Sequence, residues 1–187
     1  MKIFKNIRDG LRNWFLKQSL KKLVRKRKMS NYREARSIGI LYDASTEKQY
    51  QIITHLVRDL QQDQKKVKTL GYVVQKQMPD YSFPKLTFEF CNSKDFAWNQ
   101  KPKSLNVKDF ISNDYDLLMD LTPSDFFHIK FLVAESAAHF KIGRYAEKYL
   151  DLYDLMIQVE DTSPLDEVIK HSIYYLKMIN NDQGENQ

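Results

Sequence analysis

Three side chains near predicted strand ends have types that can carry acid–base or metal chemistry. Asp43 follows the strand pattern SIGILY, Asp125 lies where a later helix begins, and His128 comes about one turn further on. Two carboxylates beside an imidazole can exchange protons or bind a metal ion if the fold brings them together. Each also has a structural explanation. Asp43 ends a strand, Asp125 lies in the first turn of a helix, where acidic residues are favoured, and His128 packs on the flank of that helix. We therefore predict no catalytic residue.

The other candidates for chemistry are isolated in the sequence. His55, His139 and His171 do not share the short spacings typical of metal sites. The first strand–helix turn is DASTEK rather than a glycine-rich phosphate-binding loop. The single cysteine, Cys91, excludes an internal disulfide and is expected to be a small buried residue rather than a nucleophile. We predict no metal, no cofactor and no disulfide partner.

The elements that would position these residues alternate between strands and helices. The predicted strands are 37–42, 67–74, 86–91, 116–121, 139–142 and 154–159. The predicted helices are 2–28, 47–64, 107–111, 125–138 and 165–179. This alternation predicts an α/β fold, a Rossmann-like three-layer domain with a mostly parallel five- or six-stranded sheet, preceded by a basic N-terminal helix.

Three segments follow from this pattern: a basic amphipathic helical arm (1–36), the Rossmann-like domain (37–180) and a polar tail (181–187). In a doubly wound order the first strand and the strand at 116–121 are neighbours. Ligands of such sheets bind beyond the carboxyl ends of the strands at that switch point. The predicted switch-point pocket contains Asp43, Ser45, Thr122, Ser124 and Asp125.

Charge is divided very unevenly along the chain. Residues 1–36 contain 13 Lys/Arg and 2 Asp/Glu, a net charge of +11, whereas the remainder has 17 and 22, a net charge of −5. A basic arm on a mildly acidic body indicates an anionic partner for the arm. The predicted polyanion-binding residues are Lys17, Lys21, Lys22, Arg25, Lys26, Arg27 and Lys28.

An apolar stripe runs along the first half of the arm at helical spacing. Its members, predicted to form a membrane or partner face, are Phe4, Ile7, Leu11, Trp14 and Phe15. Three interpretations stay open. The lysines and arginines can contact nucleic-acid phosphates, the aromatic residues can enter the headgroup region of an anionic membrane, or the stripe can pack on the protein's own body.

Three stretches carry a resemblance to a known family: IGILYDA at 38–44, DLLMDLTPSDFFHIKFLVAESAAHFKIGRY at 116–145 and YDLMI at 153–157. With them the whole chain resembles a domain-of-unknown-function family of small Bacteroidota proteins, which implies no activity. About 30 residues also look like the N-terminal Rossmann-like half of heptosyltransferase-type glycosyltransferases. A chain of this length lacks the sugar-nucleotide half, so no catalytic role is carried over.

The sequence thus predicts a non-catalytic binding or scaffold protein whose arm contacts a polyanion, most simply structured RNA or a ribonucleoprotein. The alternative is a peripheral inner-membrane protein with a degenerate glycosyltransferase-like or nucleotide-sugar-binding domain. No secretory signal and no spanning apolar segment are recognised, so a cytoplasmic location is expected, with attachment to the inner membrane under the alternative. The oligomeric state is not predicted.

Overall fold

A computed structural model of the chain describes residues 10, 14–21, 23–83, 85–123, 126–160 and 162–179. These residues form one six-stranded sheet. Its strands are β1 (Ser37–Asp43), β2 (Lys66–Val73), β3 (Phe88–Asn92), β4 (Leu117–Asp120), β5 (Phe140–Arg144) and β6 (Leu155–Ile157). The strand order is β3-β2-β1-β4-β5-β6, and every neighbouring pair is parallel.

The first strand lies in the middle of the sheet, as the predicted doubly wound order requires. Ile40 of β1 pairs with Thr69 of β2 on one side and with Met119 of β4 on the other. The chain builds outward from β1 to one edge and then returns to build the other half from β4. The predicted α/β class and the predicted pairing of β1 with β4 are both confirmed, and the switch point lies between them.

Helices cover both faces of the sheet. The helices after β1 are α1 (Glu47–Gln62), α2 (Leu105–Ser112), α3 (Phe127–Glu135) and α4 (Leu165–Met178). Side chains of α1 and α4 share one hydrophobic core, and side chains of α2 and α3 share the other. Because both faces are covered, the central strands are apolar on both sides, which explains the unbroken apolar runs in the sequence.

The strand–helix–strand unit predicted at 115–144 is β4, α3 and β5. All residues of β4 and β5 are buried, and α3 buries seven of its residues, including Lys130. The helix is shorter than the predicted 125–138, since it begins at Phe127 and ends at Glu135. A helix apolar on all sides has no outward face, and this one is enclosed accordingly.

The amino-terminal segment differs from its prediction. Residues 14–21 are helical, but residues 23–30 have no regular structure, so the predicted helix to Lys28 is wrong at its end. The cause lies in contacts with the body: the Lys28 amide donates to the carbonyl of His139 at 3.2 Å, and Arg25 is drawn into the body beside it. These contacts with the body take the place of the hydrogen bonds that would continue the helix.

Candidate functional site

The carboxyl end of β1 forms a turn in which Asp43 is fully engaged. Its Oδ1 accepts the Ser45 amide at 2.9 Å and also the Ser45 hydroxyl, and its Oδ2 accepts the Gln49 side-chain amide at 3.0 Å. The Ser45 Oγ in turn accepts the Val74 amide at 3.1 Å. Thr46 caps α1, since its side chain accepts the Gln49 amide. These bonds fix the turn and occupy the polar groups predicted to meet a ligand.

The neighbouring strand ends in a matching turn that is fully buried. Oδ1 of Asp120 accepts the Thr122 amide at 2.9 Å and the Thr122 hydroxyl at 2.6 Å. Its Oδ2 accepts Lys130 Nζ at 2.7 Å and the Tyr153 hydroxyl at 2.6 Å. The side chains of Asp120 and Lys130 are 0% and 1% exposed. Four donors therefore neutralise one interior carboxylate.

Hydrogen bonds stabilise the buried Asp120–Lys130 ion pair at the centre of this network. An ion pair without access to water is stable only when hydrogen bonds satisfy its remaining polar groups. Thr122 and Tyr153 fulfil that role here, and Lys130 Nζ also donates to the Thr122 hydroxyl at 3.0 Å. Burial, followed by the charge of Asp120, raises the pKa of Tyr153 well above its ordinary value, so the phenol stays a donor. The network joins β4, α3 and the segment before β6.

A glycine makes room for this network. A Cβ atom added at Gly143 on β5 would lie only 2.5 Å from Cζ in the ring of Tyr153, and nearer still to Cε1, which is closer than van der Waals contact allows. Only a residue without a side chain lets the tyrosine ring lie against the strand. The position of the Tyr153 hydroxyl beside Asp120 thus depends on a residue on the next strand.

The three described residues of the predicted switch-point pocket are hydrogen-bonded within the protein, and their role as a ligand site stays a prediction. Asp43 and Ser45 close one turn, and Thr122, which is 0% exposed, belongs to the Asp120 network. Ser124 and Asp125 lie outside the described residues. His128 stacks on Tyr72 and packs at a tilt against Phe96, with ring centroids 5.5 and 4.7 Å away. Within the described part of the chain, no group of three His, Cys, Asp or Glu residues is arranged to hold a metal ion.

Asp120 and Lys130 are absent from the predicted site residues, although the sequence contains a signal for them. Asp120 is the single charge in β4, and Lys130 is the single charge among the buried residues of α3. A charge in such a place requires a partner of opposite sign. One acid on β4 and one base on the following helix α3 are the simplest pair that satisfies the requirement.

The amino-terminal segment is anchored by one of its own cations. The Arg25 guanidinium contacts both oxygens of Asp154, at 2.6 and 2.7 Å, and donates to the carbonyls of Ala138 and His139 at 3.1 and 2.8 Å. The side chains of Arg25 and Asp154 are 7% and 12% exposed. Asp154 also accepts the Lys141 amide at 2.8 Å. Arg25, predicted to face a polyanion, is instead bonded within the protein.

A buried lysine lies beneath this anchor. Lys141 on β5 is 1% exposed, and its Nζ donates to the carbonyl of Val133 at 2.6 Å. Burial lowers its pKa to about 7, and the nearby positive charge of Arg25 adds to the shift while Asp154 opposes it. Near neutral pH the interior amine therefore changes its charge, which adds a pH-dependent term to the stability of this corner.

The remaining predicted cations of the segment point outward where they are described. Lys17, Lys21, Lys26, Arg27 and Lys28 are all exposed. Arg27 is 67% exposed, and its Nε lies 3.9 Å from Asp154, at the limit of an ion pair. Lys22 lies outside the described residues. A strip of exposed cations, here called the basic strip (17–28), therefore lies on a backbone that Arg25 and Lys28 fix to the body.

The predicted membrane or partner face is only partly available. Leu16 is buried in the core shared by α2 and α3, and Phe15 packs edge-on against Trp98 at 6.0 Å between ring centroids. Trp14 remains 55% exposed. Phe4, Ile7 and Leu11 lie outside the described residues. Of the two described members of the stripe, Phe15 packs on the protein's own body, whereas Trp14 is largely exposed.

Two further observations concern reactivity and membranes. Cys91 is fully buried, and burial raises the pKa of its thiol well above the ordinary value, which disfavours the nucleophilic thiolate. None of the helices in the described ranges has both the length and the apolar composition needed to cross a bilayer.

Comparison with known proteins places the chain in a family. The model of a family of unknown function, DUF6913, matches residues 8–179, so the chain belongs to that family. This confirms the resemblance noted from the sequence at the level of a family of unknown function. Neither a curated protein nor a solved structure matches the chain.

Proposed function

We propose that this member of the DUF6913 family is a non-catalytic binding protein whose basic strip contacts a polyanion, with structured RNA as the best-fitting partner. One observation carries the proposal. Five cationic side chains of the strip are exposed on a backbone that the buried Arg25–Asp154 pair ties to the sheet. Cations on a fixed backbone lose less conformational freedom on binding than cations on a free tail.

Charge distribution supports a long anionic partner. No Asp or Glu occurs between Asp9 and Glu34, whereas residues after 36 have a net charge of −5. A polyanion is therefore attracted to one side of the molecule and repelled by the rest, which orients it. Phosphates spaced along RNA match several cations in a row, and each neutralised phosphate releases counterions and adds affinity.

The arrangement at the switch point supports a non-catalytic role. The oxygens of Asp43 and Asp120 accept hydrogen bonds from their own turns and from neighbouring helices. A general acid or base needs a proton-exchanging atom within reach of a substrate. The hydrogen bonds to these carboxylates favour a structural role for them.

The test compares the basic strip with exposed lysines elsewhere. Lys21, Lys26 and Lys28 are replaced together by glutamine, and the matched control replaces Lys48, Lys94 and Lys170, which are also exposed. Binding of a fluorescent stem-loop RNA is measured by anisotropy across a salt series. We expect the strip variant to bind more weakly and its log–log salt slope to fall by about 2, since each phosphate contact contributes about 0.7–0.9.

The two variants carry the same change in net charge, so a non-specific effect of charge would weaken both equally. That result, or a strip variant that binds like the wild type, contradicts the proposal. Anionic liposomes form a parallel arm. Liposome binding that survives high salt and is lost on Trp14→Ala, without RNA binding, would favour the peripheral-membrane alternative.

A further inference from the structure

A cavity of about 650 Å³ opens beside the basic strip, between the helical residues 14–21, the loop at 99–102 and helices α2 and α3. Its apolar walls include Trp14, Phe15, Ile111 and Phe131. Cavities of this size suit a small planar group, and aromatic walls suit a group with a π-face. The helix that carries Lys17 and Lys21 also supplies one wall of the cavity, through Trp14, Phe15 and Gln18.

One tryptophan lines this cavity, and the second contacts one of its lining residues. Trp14 lines it, and Trp98, which is 85% exposed, contacts Phe15 from the loop side. Backbone hydrogen bonds hold the loop that carries Trp98. The Ala97 amide donates to the carbonyl of Lys101, and Phe96 and Pro102 form an antiparallel bridge at the base of the loop. An indole held in solvent on a fixed loop is an unusual use of a large apolar side chain.

Polar groups converge on the same cavity. Gln18, Asn99 and Glu135 contribute amide and carboxylate groups to its walls, and Glu135 is oriented by the Ser19 hydroxyl, which donates to its Oε1 at 2.7 Å. Lys101 and Lys108 are exposed at its border. Aromatic surfaces, hydrogen-bonding groups and flanking cations are what recognition of an unpaired nucleotide requires.

We infer that this cavity takes an unpaired nucleobase of the bound RNA, stacked against Trp14, that Trp98, which adjoins the cavity through Phe15, offers a second stacking surface, and that Lys101 and Lys108 contact the adjoining phosphates. The inference rests on the proposed function and deepens it: the basic strip attracts the polyanion, and the cavity distinguishes RNA with accessible bases from other polyanions. The Glu135 carboxylate favours bases that offer N–H donors towards it.

The two tryptophans provide a direct test, because stacking of a base on an indole quenches its fluorescence. The full chain is titrated with a short single-stranded RNA, with the same RNA in a perfect duplex, and with heparin, a polyanion without bases. We expect strong quenching by the single strand and little by the duplex or heparin, although both of these bind. Equal quenching by heparin, or RNA binding without quenching, overturns the nucleobase site and leaves the proposed function standing.

A matched pair of variants completes the test. Trp98→Ala removes one stacking surface, and Tyr174→Ala removes a 55%-exposed aromatic side chain on α4, on the opposite face of the sheet. Trp98→Ala should weaken single-stranded RNA binding about 5- to 150-fold, the equivalent of ~1–3 kcal/mol per stacked base, with heparin binding unchanged. Tyr174→Ala should change neither. Equal effects of the two variants contradict the inference, and absence of any RNA binding contradicts both the inference and the proposed function.

Discussion

The switch-point edge and the basic strip both concentrate charged residues, but they use them in opposite ways. At the edge, Asp120 lies among four donors and Asp43 among three, all from the protein itself. In the strip, Arg25 alone is drawn inside, and the described lysines around it face solvent. The fold class favours the edge as a ligand site, whereas the side-chain environments favour the strip. The availability of charged groups, rather than their number, distinguishes the two regions.

The largest effect is expected from breaking the Asp120–Lys130 pair. Lys130→Met leaves a buried carboxylate without its cation, and Asp120→Asn leaves a buried ammonium without its anion. Each should lower the free energy of unfolding by about 3–5 kcal/mol, measured by urea denaturation. The double variant should cost less than the sum of the two singles. Additive losses would show that the two groups act independently. The charged groups at the edge would then not be paired with each other, as the comparison with the strip requires.

A smaller loss is expected from Arg25→Met. It removes the bidentate contact with Asp154 and two bonds to carbonyl groups, which should cost about 2–3 kcal/mol. The neighbouring Arg27→Met is the control, because an exposed pair at 3.9 Å contributes about 0–1 kcal/mol. If both variants unfold at the same urea concentration, Arg25 is not an anchor, and the basic strip is not fixed in the way described.

The buried amine of Lys141 gives a pH-dependent test of the same corner. Its pKa of about 7 in the folded protein lies below the ordinary value of 10.5, so between these two values the unfolded chain binds more protons than the folded one. Folding stability contributed by this group therefore rises with pH from about 7 upward and is lowest below pH 7, where both states are protonated.

The measurement is the difference in unfolding free energy between the wild type and Lys141→Met at several pH values between 7 and 9. The wild type should gain relative to the variant by at most about 1.4 kcal/mol per pH unit. Other titrating groups, including the buried tyrosines, cancel in the difference. A difference that does not change with pH would show that Lys141 keeps its ordinary pKa and that the interior beneath Arg25 is hydrated.

The smallest loss of unfolding free energy is expected at the Asp43 turn of the switch-point edge. Asp43→Asn should cost about 1 kcal/mol, because Asp43 is only half-buried, has no cationic partner among the described residues, and an asparagine side chain still accepts the Ser45 amide. Measured beside Asp120→Asn by the same denaturation, it compares two turns of the same form. Equal losses would mean that burial and Lys130 add nothing to the Asp120 turn.

The strands and helices of the fold could be predicted from the sequence, because apolar residues recur along the chain at the spacing of the buried face of each element. Every predicted strand has a counterpart, and the helices α1 and α4 begin at their predicted residues, Glu47 and Leu165. The pairing of β1 with β4 followed from the alternation of strands and helices alone. Local patterns and handedness rules contain this information.

Contacts between residues that are distant in the chain could not be predicted from such local patterns. Arg25 and Asp154 are separated by 129 positions, and nothing near Arg25 in the sequence distinguishes it from Lys26 or Arg27. The same holds for the end of the first helix, where the chain leaves the helical path to follow contacts with His139. Tertiary contacts override local propensity at both places. Which cations are exposed was therefore visible only in the structure.

Protection of lysines from acetylation tests the central proposal most directly. The protein is acetylated with and without saturating stem-loop RNA, and the modified peptides are quantified by mass spectrometry. Lys21, Lys26 and Lys28 should lose reactivity when RNA is bound, whereas Lys48, Lys94 and Lys170, equally exposed in the free protein, should keep it. Unchanged reactivity of the three strip lysines in the bound state, or protection of the control lysines instead, would contradict the proposed role of the basic strip.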